Sequence, residues 1–166
     1  PLYHSKNRGY TCGQLFTDRA AYVKNVVFNR EGSIRKADVI VIPEPNRTRA
    51  LENHRSEREC DASLANRITT LLNIAALQEI DTLIVGAFGC GRQGFPANQV
   101  ITQFKDWIDA HPGSIANIVF AVPRVHFEIF NEAFGEPEPQ TTTEPEVKQE
   151  EELFDPSDLP EGVTLR

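Results

Sequence analysis

Residues 83–104 read LIVGAFGCGRQGFPANQVITQF, a strand, a glycine-rich loop and a helix in immediate succession. Leu83 to Gly86 continues an apolar run that begins at Thr82, the signature of a buried strand. The chain then passes through Phe88-Gly89-Cys90-Gly91-Arg92-Gln93-Gly94-Phe95 before Pro96 opens a helical pattern. Val100, Phe104, Trp107 and Ile108 form one apolar face over 97–110. Pro96 suits the first turn of that helix, and Pro112-Gly113 ends it. In strand–loop–helix units of an α/β sheet, ligands bind at the carboxyl end of the strand. Four glycines between 86 and 94 let the backbone adopt positive φ and approach a ligand without Cβ clashes. Exposed N–H groups backed by a helix N-terminus suit an anion, above all a phosphate. A glycine-rich turn with no ligand is the competing reading.

Outward from the loop, strands and helices alternate. Residues 37–42 (ADVIVI) and 117–122 (NIVFAV) are continuous apolar runs like 82–87. Such runs suggest strands covered on both faces, as in a parallel sheet. A shorter strand at 26–28 turns at Glu31-Gly32. Leu64, Ile68, Leu71, Leu72 and Ala75 place a helix over 61–78, with Asp61 or Ser63 as its cap. A last helix is expected over 127–134, with Phe127, Phe130 and Phe134 packing mainly into the core. Residues 44–60 are polar and fit a long surface loop or a short irregular helix. The order is β-β-α-β-α-β-α, an α/β layered fold with right-handed crossovers.

Composition sets the bounds. The 166 residues fit one domain of ordinary size. The net charge of −7 is unevenly spread: residues 135–166 hold ten acids and two bases, net −8, which leaves +1 for residues 1–134. The acidic, Pro-rich segment 135–166 reads as a disordered tail behind a domain spanning 1–134. A near-neutral body gives no reason to expect direct nucleic-acid binding. No apolar run reaches the length of a membrane span, and the N-terminus lacks a signal-peptide pattern. A cytoplasmic or nuclear protein is therefore expected. Cys12, Cys60 and Cys90 form neither a disulfide framework nor a metal motif, and the four histidines show no ligand spacing. No metal and no cofactor is expected.

Gly89, Gly91 and Gly94 also satisfy G-x-G-x-x-G. A dinucleotide-binding Rossmann unit would open its helix at the third glycine and carry an acid after the next strand. Here Phe95-Pro96 intervenes, and the next strand ends at Val122-Pro123-Arg124 without a carboxylate. The stretch 83–104 instead resembles the second phosphate-binding loop of macrodomains, in the version found in microbial-type poly(ADP-ribose) glycohydrolases. Three other stretches agree in order: YVKNVVFNR (22–30), DVIVIPEPN (38–46) and RITTLLNIA (67–75). The resemblance covers residues 2–134 and implies a macrodomain-like three-layer α/β sandwich with a mostly parallel sheet.

That resemblance implies ADP-ribose, free or on an ADP-ribosylated protein, as the partner. The loop residues Gly89, Cys90, Gly91, Arg92, Gln93, Gly94 and Phe95 would hold the diphosphate and adjoining ribose, and Asn46 would touch a ribose or the adenine. Arg92 can reach a phosphate or remain a solvated charge. Cys90 is expected to be a packing residue. Gln93 departs from the family, which usually has an aromatic residue there packed on the proximal ribose. The family hydrolyses ribose–ribose bonds with a Glu from a Gly-Gly-Gly … Gln-Glu-Glu segment. No such segment occurs before the central strands here, and Gln149-Glu150-Glu151 falls in the tail. The first strands and the catalytic loop are thus expected to precede Pro1, and no catalytic residue is assigned. The chain is expected to be part of a glycohydrolase or, alternatively, a non-catalytic ADP-ribose-binding module.

Overall fold

The computed structural model describes residues 11–135, so the expected tail from 136 onward lies outside the described residues. The first strands among the described residues form a hairpin, β1 (Ala21–Arg30) and β2 (Ser33–Val41). Its two-residue turn is Glu31-Gly32, with φ of 52° and 81°. Positive φ at both positions is the turn geometry whose twist matches a right-handed β-ribbon. The pairing runs from Ala21↔Val41 to Arg30↔Ser33 and shifts between Val23 and Val26. Asn25 sits in that irregularity at φ 55°, and its N–H donates to Asp38 Oδ1 at 2.7 Å.

After the hairpin come α1 (Arg47–Glu52) and α2 (Glu57–Leu77). Strand β3 (Thr82–Val85) leads through the glycine loop into α3 (Ala97–Ala110). Strand β4 (Asn117–Phe120) then leads into α4 (Arg124–Phe134). Strands β3 and β4 pair in parallel, Thr82↔Asn117 to Val85↔Phe120. The core lies where α2 and α3 cover this pair. Leu64, Ile68 and Leu72 from α2 meet Val100, Phe104 and Trp107 from α3, with Leu83 and Val85 pointing in from β3. Phe104 and Phe120 meet edge to face at 5.1 Å, and Phe120 stacks on Phe134 at 4.3 Å. Phe130 is buried as well, whereas Phe127 is 54% exposed.

Two expectations need correction. Parallel pairing holds for β3–β4, but the run at 37–42 belongs to an antiparallel hairpin, because a two-residue turn permits only a return strand. Nor are the apolar runs covered on both faces. Leu83 and Val85 are buried, but Ile84 is 70% exposed and Val119 is 48% exposed. One face of the parallel pair is open among the described residues. Among the described residues, strands β2 and β3 also pair on one edge each. Residues Ala37 to Ile40 and Thr82 to Ile84 line a common groove of about 630 Å³. No helix among the described residues is long and apolar enough to cross a membrane.

Helix α2 begins earlier than expected. Its cap is Ser56, not Asp61 or Ser63: the Ser56 hydroxyl accepts the Glu59 N–H, and the Glu59 carboxylate accepts the Ser56 N–H at 2.8 Å. This capping box satisfies two donors that would otherwise be orphaned at the helix start. Arg67, 3% exposed on the same helix, donates to the carbonyls of Leu15 at 2.9 Å and Phe16 at 3.2 Å. It fastens the segment before β1 to the core.

Candidate functional site: the glycine loop after strand β3

The loop is a folded object, held between two buried rings. Phe88 is 6% exposed and Phe95 3%. Between them the backbone bonds to itself: Cys90 N–H to Ala87 O at 3.0 Å, Gly94 N–H to Gly91 O at 3.0 Å, and Phe95 N–H to Gly89 O at 3.1 Å. Gly91 to Gln93 form a single 3₁₀ turn. The N–H groups of Gly91 and Arg92 open that turn, so they have no carbonyl a turn earlier to bond. Among the expected residues, Gly89, Gly91 and Gly94 do have positive φ (79°, 67°, 86°), whereas Gly86 does not.

Gly94 is where the absence of a side chain matters most. A Cβ there would lie 2.3 Å from Thr48 Oγ1 and 3.4 Å from the Thr48 nitrogen. The loop therefore rests on the first turn of α1. Asn46 fixes that turn. Its side-chain oxygen accepts the Arg49 N–H at 3.0 Å, and its own N–H donates to Gln14 O at 2.9 Å. Asn46 is thus brought to the loop's neighbourhood, but its oxygen is occupied as a helix cap.

The remaining candidate residues divide by exposure. Arg92 is exposed and has no ion-pair partner among the described residues. Gln93 is half-buried, and its Oε1 is buried without a hydrogen-bond partner among the described residues. A buried amide oxygen in that state is a standing acceptor for a water or a ligand hydroxyl. Phe95 offers only its backbone, since its ring is an anchor beneath the loop. The Cys90 thiol is pushed up to about 11, first by burial and second by the charge of Glu44. It is therefore protonated near neutral pH, which suits packing and not nucleophilic attack.

Three neighbours of the loop were not singled out from the sequence. Thr48 supports Gly94, Glu44 acts on Cys90, and His126 Nε2 lies 3.7 Å from where a Gly91 Cβ would be. Thr48 belongs to a helix too short and polar to show periodicity, and Glu44 sits in a proline-flanked turn. For His126 a signal existed: β4 lies beside β3 in parallel, so residues just after both strands emerge on one side.

The fold has counterparts among solved structures. Poly(ADP-ribose) glycohydrolase from Deinococcus radiodurans, in complex with ADP-ribose, superposes with a TM-score of 0.70 at 22% identity, over 81% of this chain and 60% of that one. The fold is that of the bacterial poly(ADP-ribose) glycohydrolases. A mutant of the glycohydrolase from Thermomonospora curvata matches with a TM-score of 0.64 at 27% identity, over 80% of this chain and 54% of that one. The same enzyme bound to the inhibitor ADP-HPD matches with a TM-score of 0.58 at 26% identity, over 73% of this chain and 47% of that one. The chain thus spans about half to three-fifths of the length of these glycohydrolases. No family model matches the sequence, and no curated protein matches it. The glycohydrolase fold is macrodomain-like and α/β, in agreement with the layered order of elements.

Proposed function

We propose that this chain recognises ADP-ribose through the loop Gly89 to Phe95, as a domain of the poly(ADP-ribose) glycohydrolase type. The observation that carries this reading is the loop's construction at the carboxyl end of β3. N–H groups of Gly91 and Arg92 open a 3₁₀ turn, an exposed guanidinium lies beside them, and the fold is shared with glycohydrolases solved with ADP-ribose and ADP-HPD. In this role the loop amides and Arg92 hold the diphosphate, and the Gln93 amide oxygen accepts from a ribose hydroxyl. Asn46 acts through α1, which supports Gly94.

Hydrolysis of a ribose–ribose bond needs in addition a carboxylic acid that protonates the leaving oxygen as oxocarbenium character develops. The Gly-Gly-Gly … Gln-Glu-Glu segment that would supply it has no counterpart before the central strands. A second reading is recognition without turnover. The one carboxylate whose charge acts on Cys90 in the loop is Glu44, and a negative charge there opposes an anion.

Calorimetric titration with ADP-ribose tests recognition, and incubation with poly(ADP-ribose) separates the two readings. Binding with release of ADP-ribose supports the glycohydrolase; binding without release supports the recognition module. Gly91→Val forces a β-branched residue to φ 67° and should abolish binding while the far-ultraviolet spectrum is kept. Absence of heat and of any thermal shift at millimolar ADP-ribose would refute recognition altogether.

A further inference from the structure

We propose that His126 is a ligand-contacting residue: its imidazole forms the second wall of the diphosphate site, opposite the glycine loop, and donates to a phosphate oxygen. This rests on the proposed ADP-ribose recognition.

The position of His126 follows from the sheet. Strands β3 and β4 stay together beyond their last paired residues, since Ala121 N–H donates to Val85 O at 2.8 Å. Both chains therefore leave the sheet on the same side. The first turns into the glycine loop; the second passes Pro123 and enters α4 at Arg124. His126 is the third residue of that helix, and its N–H bonds to Pro123 O at 2.9 Å, which fixes the turn. Its ring then lies against Gly91, with Nε2 at 3.7 Å from the vacant Cβ position.

Three further observations point the same way. The ring is half-buried yet makes no side-chain hydrogen bond or ion pair among the described residues. An imidazole held in place without a protein partner has donor capacity left for a ligand. The first turn of α4 contains no acid, and Pro123 supplies no side-chain cap, so nothing there neutralises the N-terminal N–H groups of this 11-residue helix. Charge is also distributed asymmetrically around the loop. Glu44 acts at Cys90, while the Arg92 guanidinium follows Gly91 directly. An anion on the loop is therefore favoured at Gly91 and Arg92, the side on which His126 Nε2 lies. Gly91 then has two functions: its φ of 67° permits the turn, and its missing side chain leaves a space the size of one methyl group, 3.7 Å from Nε2, for a ligand atom.

The test is calorimetric titration of ADP-ribose into the wild-type chain and into His126→Ala, His126→Phe and His126→Gln, with apo melting curves for each. His126→Phe keeps the ring and removes the N–H; His126→Gln keeps an N–H. Loss of one hydrogen bond to a charged phosphate should weaken binding about tenfold or more in His126→Ala and His126→Phe. His126→Gln should stay within about threefold of wild type, and apo midpoints should be unchanged. If His126→Ala fails to fold, His126→Phe against His126→Gln gives the same comparison. Equal affinity of the Phe and Gln variants would overturn the assignment of His126 and leave ADP-ribose recognition standing, provided the wild type binds and Gly91→Val does not. A wild type that does not bind overturns the recognition reading itself, and this inference with it.

Discussion

Gly94→Ala tests the support of the loop by α1. Two costs are expected, and the structure separates them. At φ 86° an L-residue meets its own backbone, which costs roughly 1–2 kcal/mol. The new methyl group also falls 2.3 Å from Thr48 Oγ1, on the order of 1 Å inside van der Waals contact. The Thr48 nitrogen at 3.4 Å stands behind it, so retreat along the helix is blocked. Thr48 is exposed and its hydroxyl can rotate away, which places the overlap at the lower end of the usual overpacking range, about 1–2 kcal/mol. The total is about 2–4 kcal/mol, a large share of the ~5–15 kcal/mol typical of a domain. Urea unfolding followed by circular dichroism should show the midpoint falling by about 1–2 M at an unchanged slope. Thr48→Ala alone should be nearly neutral. The double variant Thr48→Ala/Gly94→Ala should regain about 1 kcal/mol or more, a coupling that separates overlap from backbone strain. A Gly94→Ala cost below about 0.5 kcal/mol, or a cycle that closes with no coupling, would refute the contact between loop and helix.

Two further outcomes are expected. At pH 8 a thiol pushed up to about 11, against an ordinary 9.0, holds about 100-fold less thiolate, so Cys90 should alkylate about that much more slowly than an exposed cysteine; mass spectrometry of the Cys90 peptide reads this, and equal rates would contradict burial as the cause. The sign for stability follows, because the fold favours the neutral thiol: the contribution of Cys90 is intact below pH 9 and is lost as pH rises towards 11. Asn46→Ala should cost about 1 kcal/mol in urea unfolding, whereas Asn46→Asp keeps the cap and should stay within about 0.5 kcal/mol of wild type; equal losses in both would show that Asn46 matters for something other than capping.

The glycine loop and α3 were legible because backbone chemistry marks them. Pro96 and Pro112-Gly113 bracket the helix, and no other stretch concentrates glycine as 86–94 does. The start of α2 was not legible from its apolar stripe. Its signal is the Ser56–Glu59 box, set in a charged stretch where periodicity is silent. Strand β1 was read too short, because the irregularity at Asn25 breaks its alternation and only Val26 to Phe28 stand out as apolar. The run at 37–42 misled for a different reason. Apolarity indicates burial, but whether both faces are covered depends on other segments, and no local pattern contains that information. The candidate site divides along the same line. Gly91, Arg92 and Gln93 declare themselves by type and order, whereas Thr48 and Glu44 become neighbours of the loop only through tertiary packing.

The groove between β2 and β3 bears on how this protein behaves in company. Among the described residues, each of these strands pairs on one edge, β2 with β1 and β3 with β4. An extended chain that paired with an unpaired edge would gain roughly 0.5–1.5 kcal/mol per ladder bond. It would also cover Ile84, 70% exposed at the groove's margin. For the residues described, the groove therefore has a colloidal consequence: an open strand edge beside an exposed Ile84 favours strand addition, and a charged or proline substitution there would oppose it.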